Sequence, residues 1–236
     1  MTRPEVVVGS LKSLLDRLTA DVSDRAADAK ARRGMFAMAL PGGSVGTHGF
    51  PALSTVPFDW SVTHVFWADE RAVPPSSPHS NFGLADSLWL GSSGARPSNI
   101  HRMPADDPDL GAAANSYSAE LTRVLGPRPR LDAVLLGVGP DGHVASLFPG
   151  HGALSEESAL AIPIVDAPKP PPRRLTLTLP ILVSAERVIV MALGDSKAAV
   201  MHEALTRTES SLPVSLVLQR ATRALVLLDE EAGARV

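Results

Sequence analysis

The sequence predicts an α/β protein with a mainly parallel sheet and helices on both faces, a Rossmann-like arrangement. Helical patterns alternate with short apolar segments along the 236 residues, and these segments are apolar on both faces, as strands of a covered parallel sheet are. No internal repeat with a period of about 20 to 50 residues is visible. We therefore expect residues 1–236 to form a single domain.

The first predicted element is a long amphipathic helix that ends near Gly34. Its apolar positions step by three and four residues, at Leu11, Leu15, Leu18 and Val22. A short apolar run at 35–40 follows and predicts a buried strand, which ends in the tight loop 41–44.

The same alternation continues along the rest of the chain. Further strands are predicted at 62–68, 133–138, 161–165, 175–179, 187–193 and 224–228. Helices are predicted at 81–89, 111–125 and 196–205. The prolines at 168–172 exclude a helix or a central strand, because proline lacks the backbone N–H. This segment is predicted to be a stiff surface loop rather than a linker between domains.

Composition argues against several classes of protein. Lysine and arginine total 22 against 25 acidic residues, so no basic field is available for nucleic acid or an anionic membrane. Cysteine is absent, which excludes disulfides, cysteine-ligated metal and a thiol nucleophile, and fits a reducing cytoplasm. No apolar run approaches the ~20 residues that cross a bilayer, and the first eight residues lack the core of a signal peptide. We expect a cytoplasmic protein without nucleic-acid or membrane partners.

Ligands of open parallel sheets bind beyond the carboxyl ends of the strands, so the residues after each strand are the first candidates. Gly42, Gly43 and Ser44 follow the first strand and offer backbone N–H groups and a hydroxyl to an anion. An ordinary tight turn is the alternative interpretation. The sequence has no Lys-Ser/Thr pair and no G-x-G-x-x-G here, which excludes the common nucleotide-binding loops.

The second strand is followed by a polar, proline-containing loop with Asp69, Arg71 and Asn81. The planar guanidinium of Arg71 can bind phosphate with two parallel hydrogen bonds. A surface pair of Asp69 and Arg71 is the alternative. Lys197 opens a helix after the strand at 187–193, where its ammonium could also hold a phosphate. A solvated lysine is less favoured there, since a cation opposes the dipole at a helix N-terminus.

The segment 139–150 is the most informative part of the chain. Asp141, Gly142 and His143 lie in a glycine-rich loop after a strand, where an imidazole beside a carboxylate suits proton transfer near neutral pH. Among the seven histidines, His64 is expected to pack inside a strand, and a solvated role is expected for His48, His79, His101, His151 and His202. No metal site is expected, because no histidine spacing fits one.

Taken together, these motifs resemble the 6-phosphogluconolactonase family of the glucosamine-6-phosphate isomerase/6-phosphogluconolactonase superfamily. The resemblance extends over residues 10–230, and the run Asp-Gly-His-Val-Ala-Ser-Leu-Phe-Pro at 141–149 is its most specific part. It implies a NagB/lactonase-type fold and hydrolysis of 6-phosphoglucono-1,5-lactone in the pentose phosphate pathway. The implied partner is a small sugar-phosphate lactone, no cofactor or metal is implied, and a monomer is compatible with the sequence.

The resemblance also implies roles for individual residues. His143 would activate water, and Asp141 would orient the His143 imidazole. A serine nucleophile is disfavoured because no G-x-S-x-G elbow is present. The phosphate would be bound by Gly42, Gly43, Ser44, Arg71, Lys197 and Arg174, although Arg173 could take the place of Arg174. The rest of the substrate pocket would include Asp69, Asn81 and Gly142.

Two alternative functions follow from the same fold. A glucosamine-6-phosphate deaminase usually carries tyrosine in place of Arg71 and a glutamate in the segment that here reads Leu147-Phe148-Pro149. A non-catalytic sugar-phosphate sensor would keep the phosphate site, but retention of Asp141 and His143 argues against it. Departures from the lactonase pattern at Pro41, Val45-Gly46 and His79 concern substrate affinity rather than reaction type.

Overall fold

A computed structural model describes residues 3–236. In this part of the chain the strands are β1 (Glu5–Val8), β2 (Phe36–Leu40), β3 (Thr63–Trp67), β4 (Asp69–Arg71), β5 (Ala133–Gly137), β6 (Ala161–Ile164), β7 (Arg174–Leu177), β8 (Arg187–Ala192) and β9 (Ala224–Leu228). The α-helices are α1 (Leu11–Arg33), α2 (Gly43–Leu53), α3 (Asn81–Leu88), α4 (Leu110–Leu125), α5 (Leu179–Ser184), α6 (Ala198–Thr206) and α7 (Pro213–Arg220). None of these helices combines the length and apolar character needed to cross a membrane.

Six strands form the central sheet in the order β1-β9-β8-β5-β2-β3, and every pair in it is parallel. All residues of β2 and β9 are buried, as expected for strands covered on both faces. The predicted fold class, a mainly parallel sheet packed with helices, is confirmed. The carboxyl ends of β2, β3 and β5 consequently meet at one edge of the sheet, where ligands of such folds bind.

A second sheet is antiparallel, with the order β4-β7-β6. One residue, Ala68, separates β4 from β3, an edge strand of the central sheet. The amide of Leu177 donates to the carbonyl of Ala68 at that junction (2.8 Å). The sequence predicted strands near β6 and β7 but did not separate them from the central sheet. The two sheets share one hydrophobic core.

Helix α1 follows the sequence signals closely. Ser10 caps its N-terminus by accepting from the amide of Ser13, and Gly34 ends it in the left-handed conformation with φ 72°. Leu14, Leu18 and Val22 form its buried stripe. The predicted end near Gly34 is therefore confirmed.

Several elements differ from the sequence prediction. Helix α2 was not predicted and begins within the predicted tight loop 41–44, and Asp69–Arg71 forms a short strand rather than a loop. Strand β1 and helices α5 and α7 were not predicted. His101 was expected to be solvated, but it is only 5% exposed. Its ring packs against β3, where Nε2 hydrogen-bonds to His64 Nδ1 at 2.9 Å and Nδ1 hydrogen-bonds to Glu120 Oε1 at 2.7 Å.

Candidate active site

A pocket lies beyond the carboxyl ends of β2, β3 and β5. Of the residues proposed from the sequence, seven line it: Gly42, Gly43, Ser44, Asp69, Arg71, His143 and Arg174. The other four, Asn81, Asp141, Gly142 and Lys197, lie outside its lining. The pocket therefore brings an imidazole and two guanidinium groups together in one cavity.

The glycine-rich segment is the N-terminus of a helix. Gly42 is the N-cap residue of α2, and Gly43 follows in the left-handed conformation with φ 61°. The first N–H groups of a helix have no partner within it and carry the positive end of the helix dipole. This end of α2 lines the pocket and is suited to bind an anion. From the sequence alone, an ordinary tight turn was the alternative interpretation.

Asp69 is a buried carboxylate at the pocket wall. Its Oδ2 accepts from Ser146 Oγ at 2.6 Å, and its Oδ1 accepts from Asn81 Nδ2 at 3.1 Å. Arg174 Nη1 lies 4.0 Å from Oδ2. Asn81 therefore acts on the pocket through Asp69, and its amide also donates to the Asp69 carbonyl (2.8 Å).

Glu70, which the sequence analysis did not single out, fastens β4 to the start of α3. Its carboxylate accepts from the amides of Arg71, Asn81 and Phe82 and from Ser80 Oγ. Burial raises the pKa of Glu70, although the amide hydrogen bonds oppose this shift. The Glu70 carboxylate therefore holds the backbone of Arg71 and residues 80–82 in place.

Arg71 is half-buried and contacts the loop before α3. Its Nη1 donates to the carbonyl of His79 at 2.8 Å, and its Nε is buried without a partner among residues 3–236. The contact uses the backbone of residue 79. The unusual histidine at this position therefore leaves it intact.

His143 and Asp141 form a close pair, with His143 Nδ1 at 2.5 Å from Asp141 Oδ1. A carboxylate only accepts, so Nδ1 carries the proton in this pair and Nε2 is left as the basic nitrogen. Gly139 allows this geometry, because a Cβ there would lie 2.0 Å from His143 Nδ1. Gly142 supports the loop from behind, with φ 82° and its carbonyl accepting from the Val214 amide.

Burial lowers the pKa of His143 below its usual value of 6.5, and the hydrogen bond to Asp141 offsets only part of this effect. For Asp141, burial acts to raise the pKa, but the hydrogen bond from His143, the charge of His143 and the hydrogen bond from Lys169 together outweigh it, and the pKa falls. At neutral pH the pair is therefore a neutral imidazole beside an ionised carboxylate. Such an imidazole can accept a proton.

Arg174, rather than Arg173, faces the pocket. It is 4% exposed, its Nη1 donates to Ser146 Oγ at 3.3 Å, and its guanidinium lies 5.5 Å from the centre of the Phe148 ring. Arg173 instead donates to the carbonyl of Pro108 on the exterior. Arg174 also donates from Nε to the Pro171 carbonyl at 2.9 Å, so part of its donor capacity is used within the protein.

Two lysines lie near the His143–Asp141 pair. Lys169 Nζ is 3.2 Å from Asp141 Oδ1, a contact that the sequence analysis did not anticipate. Lys197 Nζ donates to Ser196 Oγ at 3.0 Å, and burial lowers its pKa, with a smaller contribution from the charge of Lys169. Lys197 is thus near the pair's side of the site rather than in the pocket wall.

A strained turn follows the loop that carries Asp141 and His143. Ala145 has φ 49°, a conformation that residues with a Cβ rarely adopt, and it lines the pocket. The turn is closed by the Leu147 amide, which donates to the Val144 carbonyl (2.9 Å). It buries Ser146 completely against Asp69, so this hydroxyl is unsuited to attack a substrate.

Comparison with known proteins places this site in a family. The family model described as glucosamine-6-phosphate isomerases/6-phosphogluconolactonase matches residues 9–226. The chain belongs to this family. Among its relatives, the 6-phosphogluconolactonase of Streptomyces coelicolor is 37% identical, with 99% of this chain and 95% of the relative covered. The 6-phosphogluconolactonase of Rattus norvegicus is 38% identical over 91% of this chain and 86% of its own.

A solved 6-phosphogluconolactonase structure has the same fold. The 6-phosphogluconolactonase of Trypanosoma brucei superposes with a TM-score of 0.88 at 24% identity, covering 100% of both chains. Within residues 3–236 no group of three or more histidine, aspartate or glutamate side chains could hold a metal ion.

Proposed function

We propose that the chain hydrolyses 6-phospho-D-glucono-1,5-lactone to 6-phosphogluconate, the lactonase step of the pentose phosphate pathway. The observation that carries this proposal is the pairing, in one pocket, of a neutral imidazole with an anion site. The imidazole belongs to His143, and the anion site consists of the N-terminus of α2 and the guanidinium of Arg71. Hydrolysis of a phosphorylated lactone needs both a base near the reacting carbon and a remote cationic group that binds the phosphate.

In the proposed reaction, His143 Nε2 takes a proton from water as the water oxygen attacks the lactone carbonyl. The tetrahedral intermediate collapses by breaking the bond to the ring oxygen, and His143 returns the proton to that oxygen. Asp141 holds the imidazole with Nδ1 protonated and stabilises its transient positive charge. Water and lactone are consumed, and the hydroxy acid is the only product.

The phosphate is proposed to bind to the amides and hydroxyl at Gly42, Gly43 and Ser44 and to Arg71. Arg174 and Lys197 contribute positive charge from the pocket wall and from the side of Asp141, respectively. Binding energy at the phosphate positions the lactone for attack, so these contacts contribute to rate as well as to affinity. Asp69, fixed by Asn81, supports the wall between the two ends of the substrate.

Deamination of glucosamine 6-phosphate is not favoured by the same residues. The segment where a deaminase carries its glutamate contains Phe148, which is buried and packs against the His143 ring at 4.7 Å. No carboxylate is supplied at that position. A sensor without catalysis would not require a His143–Asp141 pair beside a phosphate site.

We further propose that the enzyme acts in the cytoplasm. The absence of cysteine suits a reducing compartment.

The test is the rate of lactone hydrolysis by purified protein, corrected for spontaneous hydrolysis, with and without EDTA. We expect clear acceleration that chelation leaves unchanged, and no ammonia release from glucosamine 6-phosphate. Hydrolysis no faster than the background, or ammonia release at a comparable rate, would overturn the proposal.

A further inference from the structure

The proline-rich segment 168–172 brings one charged side chain, Lys169, to the candidate catalytic pair. Its Nζ lies 3.2 Å from Asp141 Oδ1 and 3.5 Å from His143 Nδ1. The Lys169 side chain is 39% exposed and that of Asp141 34%, whereas the imidazole is only 17% exposed. Lys169 is therefore the most exposed of the three side chains.

The backbone of this segment is held in place by a buried group. Arg174 donates from Nη2 to the carbonyl of Lys169 and from Nε to that of Pro171, both at 2.9 Å. The Ala167 amide donates to the Pro172 carbonyl at 3.0 Å, which closes the segment at its base. Proline fixes φ at four of the five positions. Little backbone freedom is left to lose when Lys169 contacts its partners.

The contacts define what the ammonium can do. Asp141 Oδ1 accepts from both His143 Nδ1 and Lys169 Nζ, so the lysine fixes the carboxylate from a second direction. Because Nδ1 already carries a proton, Lys169 cannot donate to it and acts on the ring only as a nearby positive charge. That charge disfavours the imidazolium form, in opposition to Asp141.

We propose that Lys169 is a positioning residue: it holds Asp141 in contact with His143 and keeps the imidazole in its neutral, proton-accepting form. This inference rests on the proposed function of His143 as the base. It assigns the proline-rich segment the task of delivering one cation to the catalytic pair. Arg174 then acts on the base indirectly, by holding the carbonyls that set the position of Lys169.

The absence of cysteine from the chain permits a test by chemical modification. Lys169→Cys would be alkylated with bromoethylamine, which restores an ammonium at nearly the same length, or with iodoacetamide, which leaves a neutral amide. Lys12→Cys, treated in the same two ways, is the control, since Lys12 is an exposed lysine that pairs with Asp16 on α1. NMR titration of the His143 imidazole and the pH dependence of kcat are the two measurements.

With the neutral adduct at position 169 we expect the His143 titration midpoint to rise by about 0.5–1 pH unit. The acid limb of the kcat profile should move to higher pH by the same amount. The ammonium adduct should restore both to their original pH. Equal midpoints for the two adducts, or the same shift in the Lys12→Cys control, would overturn the proposal.

Two further outcomes are separated by the design. A midpoint that responds to charge at 169 in a protein without lactonase activity would refute the proposed function but keep the placement of Lys169. If Lys169→Cys does not fold, Lys169→Arg and Lys169→Gln provide the same comparison of a charged and a neutral side chain, with the same two expected midpoints.

Discussion

The side chain of Asn81 lies directly against the Cα of Gly42. A Cβ on Gly42 would be 1.8 Å from Asn81 Oδ1 and 2.3 Å from Asn81 Cγ. Asn81 is 1% exposed and donates to Asp69 through Nδ2, so its amide cannot move aside without breaking that contact. Gly42 is thus required by close approach, which links the start of α2 to the pocket wall at Asp69.

Gly42→Ala should therefore damage the site and the fold together. We expect a loss of about 1–3 kcal/mol in the free energy of unfolding, the usual cost of overpacking. Displacement of the α2 N-terminus should lower kcat/KM by about 10²-fold. Denaturant unfolding and lactone hydrolysis measure the two effects. Gly152→Ala is the matched control, since a Cβ there meets nothing within 4 Å, and equal behaviour of the two variants would refute the argument.

The proposed phosphate contacts predict a substrate-dependent effect. Arg71→Ala and Lys197→Ala should each weaken 6-phosphogluconate binding by about 1.5–3 kcal/mol, the range for hydrogen bonds to charged groups. Hydrolysis of unphosphorylated gluconolactone should change little. Calorimetric titration with product, together with rates on both lactones, measures this. Equal losses on both lactones would assign these residues to the fold or the reacting centre instead.

The pH dependence of kcat should show a single acid limb below 6.5, the usual pKa of histidine. Burial lowers the pKa of His143, so the imidazole stays neutral as the pH falls to 6.5 and is protonated only below it. Asp141 raises this pKa, and Asp141→Asn should therefore move the limb to lower pH while reducing kcat. A limb above 6.5 in the unaltered enzyme, or one that moves upward in Asp141→Asn, would contradict this electrostatic assignment.

The His64–His101 pair predicts loss of stability in mild acid. Burial lowers the pKa of both rings below 6.5, so the unfolded chain binds protons first and stability falls as the pH drops below that value. Hydrogen bonding to Arg123 lowers the pKa of Glu120 to about 2. The stability that ionised Glu120 contributes is therefore fully present above its usual pKa of 4.5 and is lost as the pH falls toward 2.

His64→Asn keeps a donor at the position of Nδ1 but does not titrate. Its thermal midpoint should change less between pH 7 and 5 than that of the unaltered protein, as differential scanning calorimetry would show. His48→Asn is the control, because His48 is exposed on α2 and no such contact is expected to change. The idea fails if His64→Asn and the unaltered protein lose stability in parallel over this pH range.

The parts of the fold that sequence patterns predicted are those with strong local signals. Helix α1 has both caps and an apolar stripe, and β2 is a short apolar run that ends at a proline. Helix α2 could not be predicted in this way, because it contains Pro51 and three glycines, which disfavour a helix locally. Its buried side chains, Val45, Phe50 and Leu53, pack into the core, and this tertiary packing outweighs local propensity.

The site could be predicted where the chemistry is contiguous in sequence, as at Asp141 and His143. Lys169 is 26 residues from His143 in sequence and was hidden within a segment that reads only as a stiff loop. Its one signal was a lone lysine among four prolines. Glu70 and His101 were missed because burial of a charged or titratable side chain depends on contacts between distant elements.

The most direct test of the account is the kcat of His143→Asn on 6-phosphogluconolactone, measured with the affinity for 6-phosphogluconate. Asparagine can still donate to Asp141 from the position of Nδ1, but it lacks the basic Nε2. We expect kcat to fall by about 10²- to 10⁴-fold, the usual contribution of general base catalysis, while product binding is largely retained. A His143→Asn variant with nearly unaltered kcat would contradict the proposed mechanism.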